Sequence, residues 1–407
     1  MAAHPGSIAA LGLALSLGGN ALAADSRPWL SSWYAAPQPA WDSSFVLPMN
    51  VPAQLEQQTV RETVRISAGG NRIRLVFSNR YGHEALRLGS VRVAPEGDAG
   101  RAHALTFSGK SEAMIPAGAA LTSDPVALKV LPLERLAVTS HLPSPTRVTG
   151  FHWGGQQTFE LAPGTAGSAG IRAGGRLFLS AVLVEAAPGG RTVVALGDSI
   201  TDGNGSTPDM DRRWPDFLAQ RLAPHGIAVA NAGISGGRLL KDGMGQSALA
   251  RFEQDVLSQP GVSDVIVLLG INDIGWPGSP FAPKEGPVTL DQLTAGFRQL
   301  VAAAHARGVR IAAGTLPPFE GALEGTPFAG HYSAQKEEMR QQLNYWIRTA
   351  GAFDMVIDFD AVLRDPRRPQ RMRAEFDSGD HLHPGDAGYR AMAQAIDLAP
   401  ILKEAAR

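Results

Sequence analysis

From Arg191 onward, short apolar runs alternate with longer amphipathic segments, and few folds accommodate that alternation. Residues 192–196, 227–230, 265–269, 309–313 and 355–359 read as buried strands. Residues 214–222, 246–257, 290–306, 335–348 and 386–398 read as helices; in the second, Leu249, Phe252, Val256 and Leu257 share one face. Strands alternating with helices imply a parallel sheet covered on both faces, with any site at the carboxyl ends of the strands. Upstream the texture differs. Between about residues 29 and 185 apolar residues recur with period two: Val60, Val64 and Ile66; Ile73, Leu75 and Phe77; Leu86, Leu88, Val91 and Val93. Such runs are half-buried strands, and Gly69-Gly70-Asn71 between the first two is a hairpin signal. This half is expected to be an antiparallel sandwich of jelly-roll type.

The stretch Ala186-Ala187-Pro188-Gly189-Gly190 joins the two textures. The expected division is a β-sandwich or jelly-roll-like domain over residues 24–187 and an α/β domain over residues 191–407. A chain of 407 residues is long enough for two cores. The first 23 residues read as a signal peptide. Their apolar run, Ile8 to Leu17, is too short for a span, and Ala21-Leu22-Ala23 has the form of a cleavage site. No Lys or Arg precedes that run. A secreted or periplasmic location without a membrane span is therefore expected. The absence of cysteine excludes disulfides, thiolate metal sites and a cysteine nucleophile. A formal net charge of −1 offers no basic surplus for a nucleic-acid partner.

Four polar blocks lie near the ends of the α/β elements. Gly197-Asp198-Ser199-Ile200 follows the first strand, where a nucleophile belongs. Asn231-Ala232-Gly233-Ile234-Ser235-Gly236-Gly237 follows the second, and Gly270-Ile271-Asn272-Asp273 the third. Asp380-His381-Leu382-His383-Pro384 precedes the last helix. Asp380 and His383 are spaced so that the carboxylate can hold one imidazole nitrogen while the other faces a serine. Taken singly, each block is equally a strand-to-helix turn or a helix cap.

In order and context the four blocks resemble the SGNH hydrolases, the GDSL-type esterases and lipases, over roughly residues 192–398. That resemblance implies a three-layer, flavodoxin-like α/β domain and a secreted carboxylic ester hydrolase that needs no cofactor or metal. It implies Ser199 as nucleophile, His383 as acid–base and Asp380 as its orienting partner. The Ser199 and Gly236 backbone N–H groups and the Asn272 amide are the implied oxyanion donors, with Gly237 an alternative to Gly236. The N-terminal half also resembles the β-rich domain that some secreted members carry. Its Trp33, Tyr34 and Trp41 could stack on sugar, though packing is the commoner use of aromatic residues.

Three other readings compete. Gly233-Ile234-Ser235-Gly236-Gly237 fits the G-x-S-x-G elbow, and Gly154-Gly155 after His152-Trp153 resembles an oxyanion loop, but in the wrong half of the chain. Asp380, His381 and His383 could ligate a metal, although no second cluster completes a site and His305 and His331 read as isolated surface residues. A non-catalytic carbohydrate-binding module is the third. Export and a β-rich companion make an acylated, chiefly acetylated, small-molecule or polysaccharide ester the leading substrate; a lipid, lysophospholipid or aryl ester follows.

Overall fold

A computed structural model describes residues 28–164 and 170–403; the leader expected at residues 1–23 lies outside them. The first part of the described chain is all-β. Trp29–Tyr34, Leu179–Glu185, Ile73–Ser78 and Ala120–Thr122 form one antiparallel sheet in that spatial order. Ile171–Gly174, Thr158–Pro163, Gln58–Arg65, Arg135–His141, Val91–Pro95 and His103–Ala104 form another. Alternate residues of each point inward: Val60, Val64, Leu136 and Val138 from the larger sheet meet Leu75, Phe77, Val182 and Val184 from the smaller in one core.

Gly69-Gly70-Asn71 does not close a hairpin. The strands on either side of it, Gln58–Arg65 and Ile73–Ser78, lie in different sheets. The turn instead carries the chain across the sandwich, and Gly70 exchanges backbone hydrogen bonds of 3.0 and 2.9 Å with Val130. Two alternating runs separated by glycines look the same locally whether they pair or face each other. Trp33 and Tyr34 are core residues, while Trp41 is half-buried.

The second part is a five-stranded parallel sheet of Arg191–Gly197, Ile227–Gly233, Val262–Leu268, Arg310–Gly314 and Met355–Ile357. Numbered along the chain its spatial order is 2-1-3-4-5, the flavodoxin-like order, whose switch point lies between strands 1 and 3. The central strands are buried at nearly every position because helices cover both faces. In register, Gly197 stands beside both Gly233 and Leu268, so the loops after the first three strands leave the sheet at one level.

Two helices depart from the sequence pattern. The 246–257 segment starts as α-helix Ala248–Phe252, capped by Ser247, then widens into a π turn over Glu253–Leu257. The last segment divides into Asp386–Ala395 and Leu398–Leu402, because Asp397 caps a new start at Ala399 N. Asp386–Ala395 packs on Trp214–Leu222, the helix that follows the first strand, and Arg221 donates to the Ile396 carbonyl at 2.8 Å. That docking sets the start of Asp386–Ala395 beside the segment after the first strand, where Thr207 N–H donates to Asp386 at 2.8 Å. No helix among the described residues is long and apolar enough to cross a membrane.

Candidate active site

The first strand ends at Gly197, and the helical turn Ser199–Asp202 begins at once. Asp198 caps that turn, accepting from Ile200 N at 2.9 Å, and leaves Ser199 at its first position. The Ser199 N–H has no intrahelical acceptor there, and none among the described residues. Burial raises the Asp198 carboxyl to about 7, against the opposing Ile200 N–H bond and the nearby His383.

Ser199 Oγ lies 2.8 Å from His383 Nε2, and His383 Nδ1 lies 2.6 Å from Asp380 Oδ2. The second Asp380 oxygen accepts from the backbone N–H of Leu382 (3.0 Å) and His383 (2.8 Å), which shapes the loop that presents the imidazole. Partial burial pushes the Asp380 carboxyl upward, but the His383 hydrogen bond and these N–H groups outweigh it and hold it well below the usual carboxylate range. Ser199 and His383 are only 5% and 7% exposed, so their hydrogen bond is largely shielded from water.

The loop after the second strand turns at Gly236, whose φ of 69° lies in the left-handed region. A side chain there would also run into Met244 and the Trp276 ring. Gly237 N–H donates to Ile234 O at 2.8 Å and is therefore committed to the turn, whereas Gly236 N–H has no acceptor among the described residues. Asn272 lies in the short helix Ile271–Gly275 after the third strand and donates one amide hydrogen to Gly237 O at 3.1 Å. Its other amide hydrogen has no acceptor among the described residues.

Three buried charges that the sequence blocks did not assign hold these loops. Arg251 donates to Ala232 O (2.7 Å) and Gly197 O (3.0 Å), joining the ends of the first two strands, and is paired with Asp255 at 3.1 Å. Asp273, beside Asn272, accepts from Leu239 N (2.7 Å) and Leu240 N (3.0 Å); burial lifts its carboxyl to about 6 despite those bonds. Asp202 accepts from the backbone N–H and hydroxyl of Ser235. Asp273 belongs to the block that carries Asn272 and Asp202 lies two residues past Ile200, but only the folded loops reveal what they hold.

Ser235 is not set against an imidazole: its hydroxyl donates to Asp202 at 2.7 Å and is buried. His381 pairs with Asp377 at 2.6 Å, away from the serine. No group of three or more potential metal ligands occurs among the described residues. His331 is buried against Gly275 and Phe319 rather than on the surface, and burial lowers its imidazole to about 3.

An aromatic strip adjoins the site. Trp276, packed against Gly236, stacks on Phe281 (4.6 Å between centroids), which stacks on Phe328 (4.7 Å). Phe45, Trp41 and Trp153 continue it from the β-rich part.

Residues 195–391 match the GDSL-like lipase/acylhydrolase family. Similar solved structures include a GDSL-like lipase from Bacteroides thetaiotaomicron VPI-5482, at 18% identity over 52% of this chain and 87% of that one, with a TM-score of 0.38. An acetyl xylan esterase from Geobacillus stearothermophilus is 26% identical over 50% of this chain and 92% of that one, with a TM-score of 0.36. No curated protein matches the chain.

Proposed function

Because residues 195–391 place the chain in the GDSL-like lipase/acylhydrolase family and make it an ester hydrolase, we propose that it cleaves carboxylic esters through an acyl-enzyme on Ser199. The observation that carries this assignment is the hydrogen-bond chain from Ser199 Oγ through His383 to Asp380, at 2.8 and 2.6 Å. Ser199 attacks the ester carbonyl while His383 Nε2 takes its proton, and the imidazolium is stabilised by the Asp380 carboxylate. His383 then gives that proton to the leaving alcohol. Water next attacks the acyl group, with His383 as base, and releases the carboxylic acid and free Ser199. The negative oxygen formed in each half is held by Ser199 N–H, Gly236 N–H and the remaining Asn272 amide hydrogen. Gly236 is preferred to Gly237 because the Gly237 N–H is already bonded.

The leading substrate class is an acylated, chiefly acetylated, carbohydrate. The half-buried strip of Trp153, Trp41, Phe45, Phe281 and Phe328 supports it, since sugar rings offer flat C–H faces to aromatic rings. An acyl chain or aryl group could use the same apolar surface, which keeps lipid and aryl esters as the competing class. Export through residues 1–23, and a division at residues 24–187 and 191–407, belong to the same proposal. The test is a panel of acetylated polysaccharides against esters of rising acyl length, with wild type and Trp153→Ala. Acetylated glycans should be the best substrates, with KM raised by Trp153→Ala and acetyl-ester turnover unchanged. A preference that climbs with acyl length would transfer the assignment to lipid esters.

A further inference from the structure

The His152–Gly155 segment of the β-rich part reaches into the α/β part and ends beside the loop that carries Gly236. His152 Nε2 lies 2.9 Å from Asp202 Oδ1, and its Nδ1 lies 2.9 Å from the carbonyl oxygen of Ala36. The Ala36 carbonyl only accepts, so Nδ1 donates to it and Nε2 is turned to the carboxylate. The imidazole and carboxylate side chains are 5% and 1% exposed. The other Asp202 oxygen accepts from Ser235 N (3.0 Å) and Ser235 Oγ (2.7 Å). Ser235 immediately precedes Gly236, and Asp202 closes the helical turn that starts at Ser199. One carboxylate thus ties the nucleophile turn to the oxyanion loop, and the β-rich part holds that carboxylate from behind. The approach depends on glycine at 154, where a side chain would overlap Asp202 and Ser235. Gln38 steadies the segment, accepting from Trp153 N at 3.0 Å and donating to Met244 O at 2.8 Å. Burial pushes the Asp202 carboxyl upward, yet His152 and Ser235 outweigh it and leave the group below its ordinary value.

We propose that His152 is a positioning residue of the ester-cleaving reaction: through Asp202 and Ser235 it fixes the peptide that aims the Gly236 N–H at the oxyanion. The β-rich part is then a component of the catalytic apparatus and not only a substrate platform. The inference rests on Gly236 as oxyanion donor and Ser199 as nucleophile.

The experiment compares full-length His152→Ala, Asp202→Asn, their double variant, Ser199→Ala and Ser31→Ala on a short-chain chromogenic acetate. Ser31 is the control, because its hydroxyl donates to Gln259 across the same interface at 2.8 Å without touching the Gly236 loop or the residues that hold it. All variants are assayed below their melting transitions. His152→Ala should lower kcat by on the order of 10–10², the scale of a misaimed catalytic group, with KM nearly unchanged. Ser31→Ala should lower the melting temperature and leave kcat alone. In the Asp202→Asn background, removing His152 should add less than about a threefold further loss, since both act through one carboxylate. Free imidazole should restore part of the lost kcat to His152→Ala. A His152→Ala enzyme with wild-type kcat, or one whose loss equals that of Ser31→Ala, overturns the role of His152 while Ser199→Ala stays inactive. An active Ser199→Ala enzyme would instead remove the site assignment beneath it.

Discussion

Two serines follow neighbouring strands, and their environments predict opposite consequences of losing the hydroxyl. Ser199 Oγ makes one hydrogen bond, to His383 Nε2 at 2.8 Å, and His383 keeps its Asp380 partner when that bond is gone. Ser199→Ala should therefore change stability by no more than about 1 kcal/mol. Its activity should fall by ~10⁴–10⁶, a transition-state loss of about 5–8 kcal/mol, because no other described group stands where the attacking oxygen does. Ser235 Oγ instead donates to the buried Asp202 carboxylate at 2.7 Å, alongside the Ser235 N–H. Losing a hydrogen bond to a charged group should cost about 1.5–3 kcal/mol of stability. The remaining N–H bond keeps Gly236 near its place, so Ser235→Ala should lose no more than roughly tenfold in turnover. The assay is hydrolysis of a chromogenic acetate alongside thermal melts, with a serine-reactive phosphonate followed by peptide mapping. Label should appear on the Ser199 peptide alone. Label on Ser235, or a Ser199→Ala enzyme that keeps a tenth of its activity, would refute the assignment of nucleophile and base together.

Two further outcomes follow from the same geometry. Asn272→Ala should lower kcat by on the order of 10²–10³ with KM little changed, as expected for a lost oxyanion donor, and steady-state kinetics on the acetate would register it. A variant that only melts earlier, with normal turnover while folded, would reduce Asn272 to the support of Gly237 O. The second concerns pH. Burial, only partly offset by Arg176 and Leu177 N–H, lifts the Glu62 carboxyl from its ordinary 4.5 to about 7. The folded state then keeps a proton that the unfolded chain has released, so this group's contribution to stability falls as pH rises from 4.5 to 7. The full span is worth about 3 kcal/mol, and Glu62→Gln should flatten that part of the slope in denaturant titrations at pH 4.5, 6 and 7.5. An unchanged slope would place the ionisation of Glu62 outside that window.

The change of texture at Arg191 and the periodicities on either side of it were enough to define an all-β part followed by a parallel α/β sheet. Periodicity reports the burial of each element, and burial is what divides these classes. The polar blocks around Ser199, Gly236, Asn272 and Asp380 were legible for a related reason: they fall at the carboxyl ends of strands or just before a helix, positions that can be counted along the chain. What could not be counted was partnership across it. Period-two runs on either side of Gly69-Gly70-Asn71 fit a hairpin and a sheet crossing equally well, and only the opposing core residues decide between them. The choice between Gly236 and Gly237 depends on one N–H finding Ile234 O, a matter of turn geometry that two adjacent glycines do not encode. His331 carries no local mark of burial, because Phe319 and Gly275 enclose it from other segments. His152 lies 50 residues from Asp202 and in the other half of the chain. The sequence by itself determined which residues could do chemistry and the class of fold that could hold them. The tertiary structure decided which hydrogen-bonding groups were already occupied and which remained for a substrate, because a donor's availability depends on acceptors brought to it from distant parts of the chain.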